Sequence, residues 1–212
     1  MHPSPAFRMD DPAGARAFVT AHPFAVLARN DVSGPVTALV PLVFAPSAPD
    51  RLIGHVARGN AFWGGVADTE QKAVAVFQGP DAYVSASFYP SKAEHGRVVP
   101  TWNYLAVEVR GRLTFETDPN RLEPYIKALT EQMEAPREAP WAISDAPADY
   151  IERLSHAIVG FDLSVDDVTY VRKLSQNKPG LDADGAANGL AASPHATGRA
   201  LADEMRQEAA RP

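Results

Sequence analysis

Apolar residues recur along this chain at two spacings, and the two-residue alternation of β-strands is the commoner. Phe24 to Ala28 (FAVLA) predicts a compact apolar strand. Val36 to Phe44 (VTALVPLVF) predicts a second, set off by the turn residues Asn30, Asp31, Ser33 and Gly34, and the two pair most simply as a hairpin. Pro41 interrupts the second strand and, having no amide hydrogen, marks an edge or a bulge. Leu52 to Val56 predicts a third strand. Lys72 to Gln78 (KAVAVFQ) and Ala82 to Phe88 (AYVSASF) predict two more, with Gly79-Pro80 bending the chain between them. In the long strand Trp102 to Phe115, one face carries Tyr104, Ala106, Glu108, Arg110 and Arg112. The other carries Leu105, Val107, Val109, Gly111 and Leu113. Ala157 to Val171 predicts a last strand with a turn near Asp166-Asp167.

Helical spacing is confined to short stretches. Asp10 and Asp11 before Pro12 signal a helix start, and Ala13 to Ala21 predicts a helix with Phe18 facing the core. Leu122, Ile126, Leu129 and Met133 form one apolar stripe, with Pro124 blurring its start. Ile151, Leu154 and Ile158 form another, beginning near Ser144, Asp145 and Pro147. Strands joined by short turns, with helices that do not alternate with them, predict a mainly β fold with peripheral helices (α+β), an antiparallel barrel or sandwich. After Pro179-Gly180 the composition shifts to Ala, Gly, Asp and Ser. The predicted organisation is one domain over 1–180 and a polar tail over 181–212, with a short helix around Gly198 to Ala209.

Composition narrows the chemistry. The chain has 212 residues, enough for one full core, with 45% hydrophobic and 22% charged residues. No apolar run reaches the roughly 20 residues of a membrane helix, and the first residues lack the marks of a secretory leader, so the expected location is the cytoplasm. The absence of cysteine removes disulfides, thiolate nucleophiles and thiolate metal sites. A net charge of −6 gives no support to a broadly basic nucleic-acid surface. No HExxH or HxH pair, GxSxG elbow, Walker loop or GxGxxG turn occurs, so no catalytic or metal-binding residue is assigned.

Binding chemistry concentrates at strand exits. His55, Arg58, Gly59 and Asn60 combine a guanidinium fork, a small residue and a helix-capping side chain, the parts of an anion site; a solvated arginine in a loop has the same appearance. The loop after Phe88 carries Tyr89, Lys92, Glu94, His95 and Arg97, among which His95 and Tyr89 are the candidate acids of an enzyme. It closes on Thr101, Trp102, Asn103 and Tyr104. Lys173, Ser175, Gln176 and Asn177 stand at the end of the last strand. If the fold brings the three exits together, the combination suits a ligand with a phosphate at one end and a flat polar ring at the other.

Four segments, HVARGNAFW at 55–63, FQGPDAYVSASFYPSK at 77–92, VPTWNY at 99–104 and KLSQN at 173–177, resemble the PaiB family of FMN-binding transcriptional regulators, within the flavin split-barrel group related to pyridoxamine phosphate oxidases. The resemblance spans about residues 1–180. It departs from the family at Ala61, where proline follows the asparagine, and at Ala86 and Phe88, where proline and tryptophan stand. It implies a six-stranded antiparallel split barrel and a homodimer with FMN at its interface. Arg58 and Asn60 would lie near the phosphate, with His55 beside them. Thr101, Trp102, Asn103 and Tyr104 would line the flavin, and Lys173, Ser175 and Gln176 would come from the strand end. The implied function is flavin-dependent regulation through DNA or a regulatory protein. An FMN-dependent oxidoreductase on a small substrate, and a module for another planar ligand such as haem, are the alternatives.

Overall fold

The strongest alternation in the sequence becomes the longest strands of the computed structural model, which describes residues 1, 4–66 and 69–210. In chain order the elements are β1 (Arg8–Met9), α1 (Pro12–Ala21), β2 (Phe24–Asp31), β3 (Gly34–Pro41), β4 (Val43–Ala45), β5 (Ala48–Ala57) and β6 (Gln71–Val84). They continue with α2 (Ser91–His95), β7 (Thr101–Glu116), α3 (Glu123–Glu134), α4 (Ala148–Ser155), β8 (Ile158–Lys173), α5 (Gly180–Ala191) and α6 (Ala196–Ala209). The strands follow the order β3-β2-β6-β7-β8-β5-β4, with β1 added on β8. β3 and β4 end that order, so the sheet is open, as a split barrel requires.

Among the described residues eight strands stand where the pattern predicts seven and the resemblance implies six, and the differences have local causes. β1 and β4 are only two and three residues long, too short for alternation to show. VTALVPLVF divides into β3 and β4 at Pro41, which ends an edge strand. KAVAVFQ and the start of AYVSASF form the single strand β6. Its register with β2 ends at Ala25↔Phe77, so Pro80 lies beyond that ladder, which needs no amide hydrogen from it. Ala86–Phe88 leaves the strand as a 3-10 turn capped by the Ser85 hydroxyl. β8 runs unbroken through Asp166-Asp167, and Arg112 on β7 donates to Asp166 at 3.1 Å.

By its contacts the chain forms two compact units, each with chain segments distant in sequence. The hairpin unit comprises Ala13–Phe77 and Glu108–Val168. Here β2 and β3 pair from Phe24↔Pro41 to Asp31↔Gly34, leaving a two-residue turn. β5 pairs β8 from Arg51↔Ser164 to Ala57↔Ile158. α3 packs Tyr125, Ala128 and Leu129 on Val43, Ala45 and Ile53 of the β4–β5 pair. The predicted stripe is therefore rotated, leaving Met133 exposed. Tyr125 also donates to Asp162, which pairs with Arg51 at 3.2 Å.

The terminal unit comprises Met1–Pro12, Gln78–Val107 and Thr169–Pro212. Residues beyond 180 belong to it as two packed helices, where a separate tail with one short helix was expected. Their small residues hid this, because alanine and glycine give a weak apolar signal yet permit close approach. Ala186, Ala187, Leu190, Leu201, Ala202 and Met205 are buried, and the Phe88 ring lies against Gly189, where a Cβ would come within 2.4 Å of it. Arg172 is buried at the end of β8 and bonds Glu208 at 2.9 Å and Glu204 at 3.2 Å on α6. A buried charge left without its partner is strongly destabilising, so this pairing locks α6 to the strand.

In the hairpin unit a Cβ on Gly111 of β7 would stand 2.0 Å from the Ser164 carbonyl oxygen of β8. Gly111→Ala is expected to lower folding stability by about 2–3 kcal/mol, the upper range for overpacking, because main chain must move. Urea denaturation measures it, and an unchanged midpoint would show that the strands can separate without cost.

Candidate functional site

The predicted site residues fall into two groups, His55, Arg58 and Asn60 in the hairpin unit and the rest in the terminal unit. In the first group, the chain leaving β5 turns away just past the Ala57↔Ile158 end of its ladder with β8, where a side-chain staple can hold it. Arg58 supplies it: Nε donates to the His156 carbonyl at 2.8 Å, and Nη2 to the carbonyls of Thr117 at 2.9 Å and Ile158 at 3.0 Å. The Trp63 indole donates back to the Arg58 carbonyl at 2.9 Å. Asn60 caps the following 3-10 turn by accepting from the Phe62 amide at 2.9 Å. His55 lies opposite Gly160 in the β5–β8 ladder, and burial pushes its pKa below the ordinary histidine value. Both main polar groups of the segment are thus committed to main chain, which holds the turn.

The second group forms where β7 begins and β8 ends. Lys173 Nζ donates to Thr101 Oγ1 at 2.8 Å and stands 5.9 Å from the centre of the Phe7 ring. No carboxylate among the described residues pairs with it. Burial pushes its pKa below the ordinary lysine value. A half-buried cation satisfied by one hydroxyl is a ready anion partner, since an incoming anion offsets the desolvation already incurred.

Alternation along β7 separates the VPTWNY residues that the sequence presents as one lining. Thr101 and Asn103 share one face of the strand, and Trp102 and Tyr104 the other. Asn103 is fully buried, with Nδ2 donating to Ser175 Oγ at 2.8 Å and Oδ1 buried without a partner. Trp102 is 52% exposed; its indole donates to Asp81 at 2.8 Å and its ring meets Tyr83 edge-on at 6.2 Å. Gln176 folds back on its own turn, accepting from the Leu174 amide at 2.8 Å and donating to the Arg172 carbonyl at 2.5 Å.

Three contributors are invisible in the sequence pattern: Phe7 beside Lys173, Asp81 beneath Trp102 and Met205 against Asn103 at 3.7 Å. Their partners lie far along the chain and no local motif marks them. Tyr89, a candidate acid, is buried, and burial raises its pKa. His95 is exposed, and its Nδ1 accepts from the Arg97 amide at 3.0 Å. Ser91, at the start of α2, bonds Asp182 of α5 through both hydroxyl (2.6 Å) and amide (3.1 Å), which ties this loop down. The described residues contain no cluster of three or more His, Asp or Glu arranged to hold a metal. A groove of about 990 Å³ between α3 and α4 includes none of the predicted residues.

Comparison with known proteins bears on this geometry. Residues 1–167 match a family model described as "Putative FMN-binding domain". The chain is 32% identical over 162 residues to the Bacillus subtilis "Protease synthase and sporulation protein PAI 2", covering 76% of this chain and 75% of that one. It is 30% identical over 151 residues to an uncharacterized Emericella nidulans protein, covering 66% of this chain but only 60% of that one's length. Among solved structures it is similar to an FAD and haem binding protein of Mycobacterium smegmatis, with TM-score 0.56, 14% identity and coverage of 78% and 73%. It is also similar to a conserved hypothetical protein of Mycobacterium tuberculosis, with TM-score 0.56, 10% identity and coverage of 84% and 94%. These two likenesses bear on the fold alone and agree with an open, mainly antiparallel split barrel.

Arg58→Ala removes a charged donor from three carbonyls and is expected to cost about 1.5–3 kcal/mol of folding stability. Denaturation of the ligand-free protein tests this; full stability would return Arg58 to the role of a free ligand contact. For Lys173 the sign follows from its depressed pKa. Between that value and 10.5 the unfolded chain binds a proton that the folded chain has released, so stability rises with pH through the window. The stability difference between wild type and Lys173→Met should therefore shift in favour of wild type across that interval and stay flat below it. Parallel urea titrations over the alkaline range would show this, and a flat difference throughout would mean an ordinary, solvated lysine.

Proposed function

We propose, because this chain belongs to the FMN-binding domain family, that it acts as a flavin-bound homodimer of the PaiB regulatory type. FMN is the cofactor that membership assigns. The observation that carries the site is the half-buried Lys173 ammonium, which meets the Thr101 hydroxyl and no carboxylate. That donor set fits the phosphate of FMN, an anion with several strong acceptors. Arg58 is the weaker phosphate candidate, since Nε and Nη2 already serve main-chain carbonyls. His55 and Asn60 remain proposed contacts for the rest of the cofactor, and the exposed Trp102 ring with Tyr104 offers aromatic surface for the flavin ring. When bound, the flavin supplies one- or two-electron redox chemistry.

The homodimer is supported by a continuous apolar sheet face in the hairpin unit. Phe24 and Val26 on β2 are exposed beside Leu39 on β3, which is 67% exposed, and Val26 pairs across the strands with both Leu39 and Val76. The alternate residues Ala25, Leu27, Ala38, Val40, Ala75 and Phe77 are buried on the opposite face. A sheet with a core on one side and an unbroken apolar strip on the other suits a self-complementary interface. Flavin occupancy or redox state would then bias the dimer toward DNA or a regulatory protein, in the cytoplasm.

The purified protein is expected to carry, or take up, one FMN per chain with a flavin visible spectrum, and to sediment as a dimer. Lys173→Ala should weaken FMN by roughly tenfold, about 1.4 kcal/mol. Leu39→Asp should yield monomers. Failure to bind added FMN would reject the flavin site, and a stable monomeric wild type would reject the dimer.

A further inference from the structure

Lys173 is the last residue of β8, and the turn that follows it contains a backbone strain. Ser175 has φ of 65°, the only positive value at a non-glycine position among the described residues. A side chain in this region costs about 1–2 kcal/mol, so the surroundings must hold it there. Ser175 is buried, its carbonyl accepts from the Lys178 amide at 2.9 Å, and its hydroxyl accepts from Asn103 Nδ2 at 2.8 Å. Gln176 closes the same turn from the other side through Leu174 and Arg172.

Asn103 occupies a position where β7 otherwise buries apolar side chains. A buried amide is unfavourable unless it is bonded, and here one of its two polar atoms, Oδ1, has no partner. Stability alone would favour leucine. Apart from a long contact with the Met205 sulfur at 3.7 Å, the amide's polar contact is the Ser175 hydroxyl. Two residues before Asn103, on the same strand face, Thr101 receives Lys173; two residues before Ser175 stands Lys173 itself. The two bonds therefore join the same two chain segments, one half-buried at the end of β8 and one buried beyond it, where the chain has turned back.

We infer that Asn103 is a positioning residue, which through Ser175 holds the turn after β8 in the shape that presents Lys173 and Thr101 to the phosphate of the bound flavin. It touches no ligand, being fully buried. This rests on the flavin reading for the identity of the anion, while the positioning itself concerns the protein alone.

Asn103→Leu tests it, because the replacement keeps the branched shape of the side chain and removes the orphaned oxygen, and urea denaturation is run beside it to show that the larger leucine is accommodated in a folded variant. FMN and riboflavin, which lacks the phosphate, are titrated against both full-length proteins, and the Lys173 ammonium is followed by NMR across the alkaline range. Wild type should prefer FMN by roughly tenfold or more, and Asn103→Leu should lose most of that preference while binding riboflavin within about twofold of wild type. Ser175→Ala should behave alike, and the double variant should add little to either single one, as coupled residues do. The Lys173 titration should move back toward ordinary lysine in Asn103→Leu. Equal weakening of both flavins, or an unshifted Lys173 titration, would overturn the inference. Should wild type bind neither flavin, the flavin reading falls, and the Lys173 titration alone decides the positioning role.

Discussion

Burial of β7 is the constraint from which the remaining structure follows. Five successive residues, Leu105 to Val109, are buried, which only a strand covered on both faces and paired on both sides can achieve. A slip by one residue would exchange its faces along sixteen positions, so its register against β6 and β8 is tightly held. Everything attached to β7 inherits that precision. Gly111 permits the close approach of Ser164, Thr101 is delivered to Lys173, and Trp102 is placed opposite Thr101.

Polar groups inside such a core are tolerated only where they are bonded, and the terminal unit shows how much of its bonding serves position. Arg172 at the end of β8 is neutralised by two glutamates of α6. Asp182 on α5 receives Ser91 twice. Asn103 reaches Ser175, which keeps a left-handed backbone that the side chain alone would avoid. Each bond ties together elements distant in sequence, two of them at the end of β8 beside Lys173.

The contrast between two cations carries the functional reading. The sequence marks Arg58 as the phosphate candidate and Lys173 only as a strand-end cation, yet Arg58 meets three carbonyls and Lys173 meets one hydroxyl. A satisfied guanidinium contributes to folding; an under-satisfied ammonium held in a half-buried seat is left available to an anion. The same contrast applies to the sheet of the hairpin unit, where the inward face is closed and the outward strip of Phe24, Val26 and Leu39 is apolar and open.

Much of this was legible in the residues themselves. Alternation located β2, β5, β7 and β8, the turn chemistry of Asn30 to Gly34 predicted the first hairpin, and the segments around VPTWNY and KLSQN identified the family. Such features are local, set by side-chain chemistry and a period of two. What lay beyond the sequence depended on partners elsewhere in the fold. The unbroken path of β6 depended on where β2 stops pairing, and the order of α5 and α6 on small residues that pack closely without an apolar signature. The division of Thr101 from Trp102 follows from strand geometry. Sequence alone determined which groups could bind a phosphate; only tertiary structure decided which of them were already engaged, because hydrogen bonding to distant carbonyls leaves no trace in the order of residues.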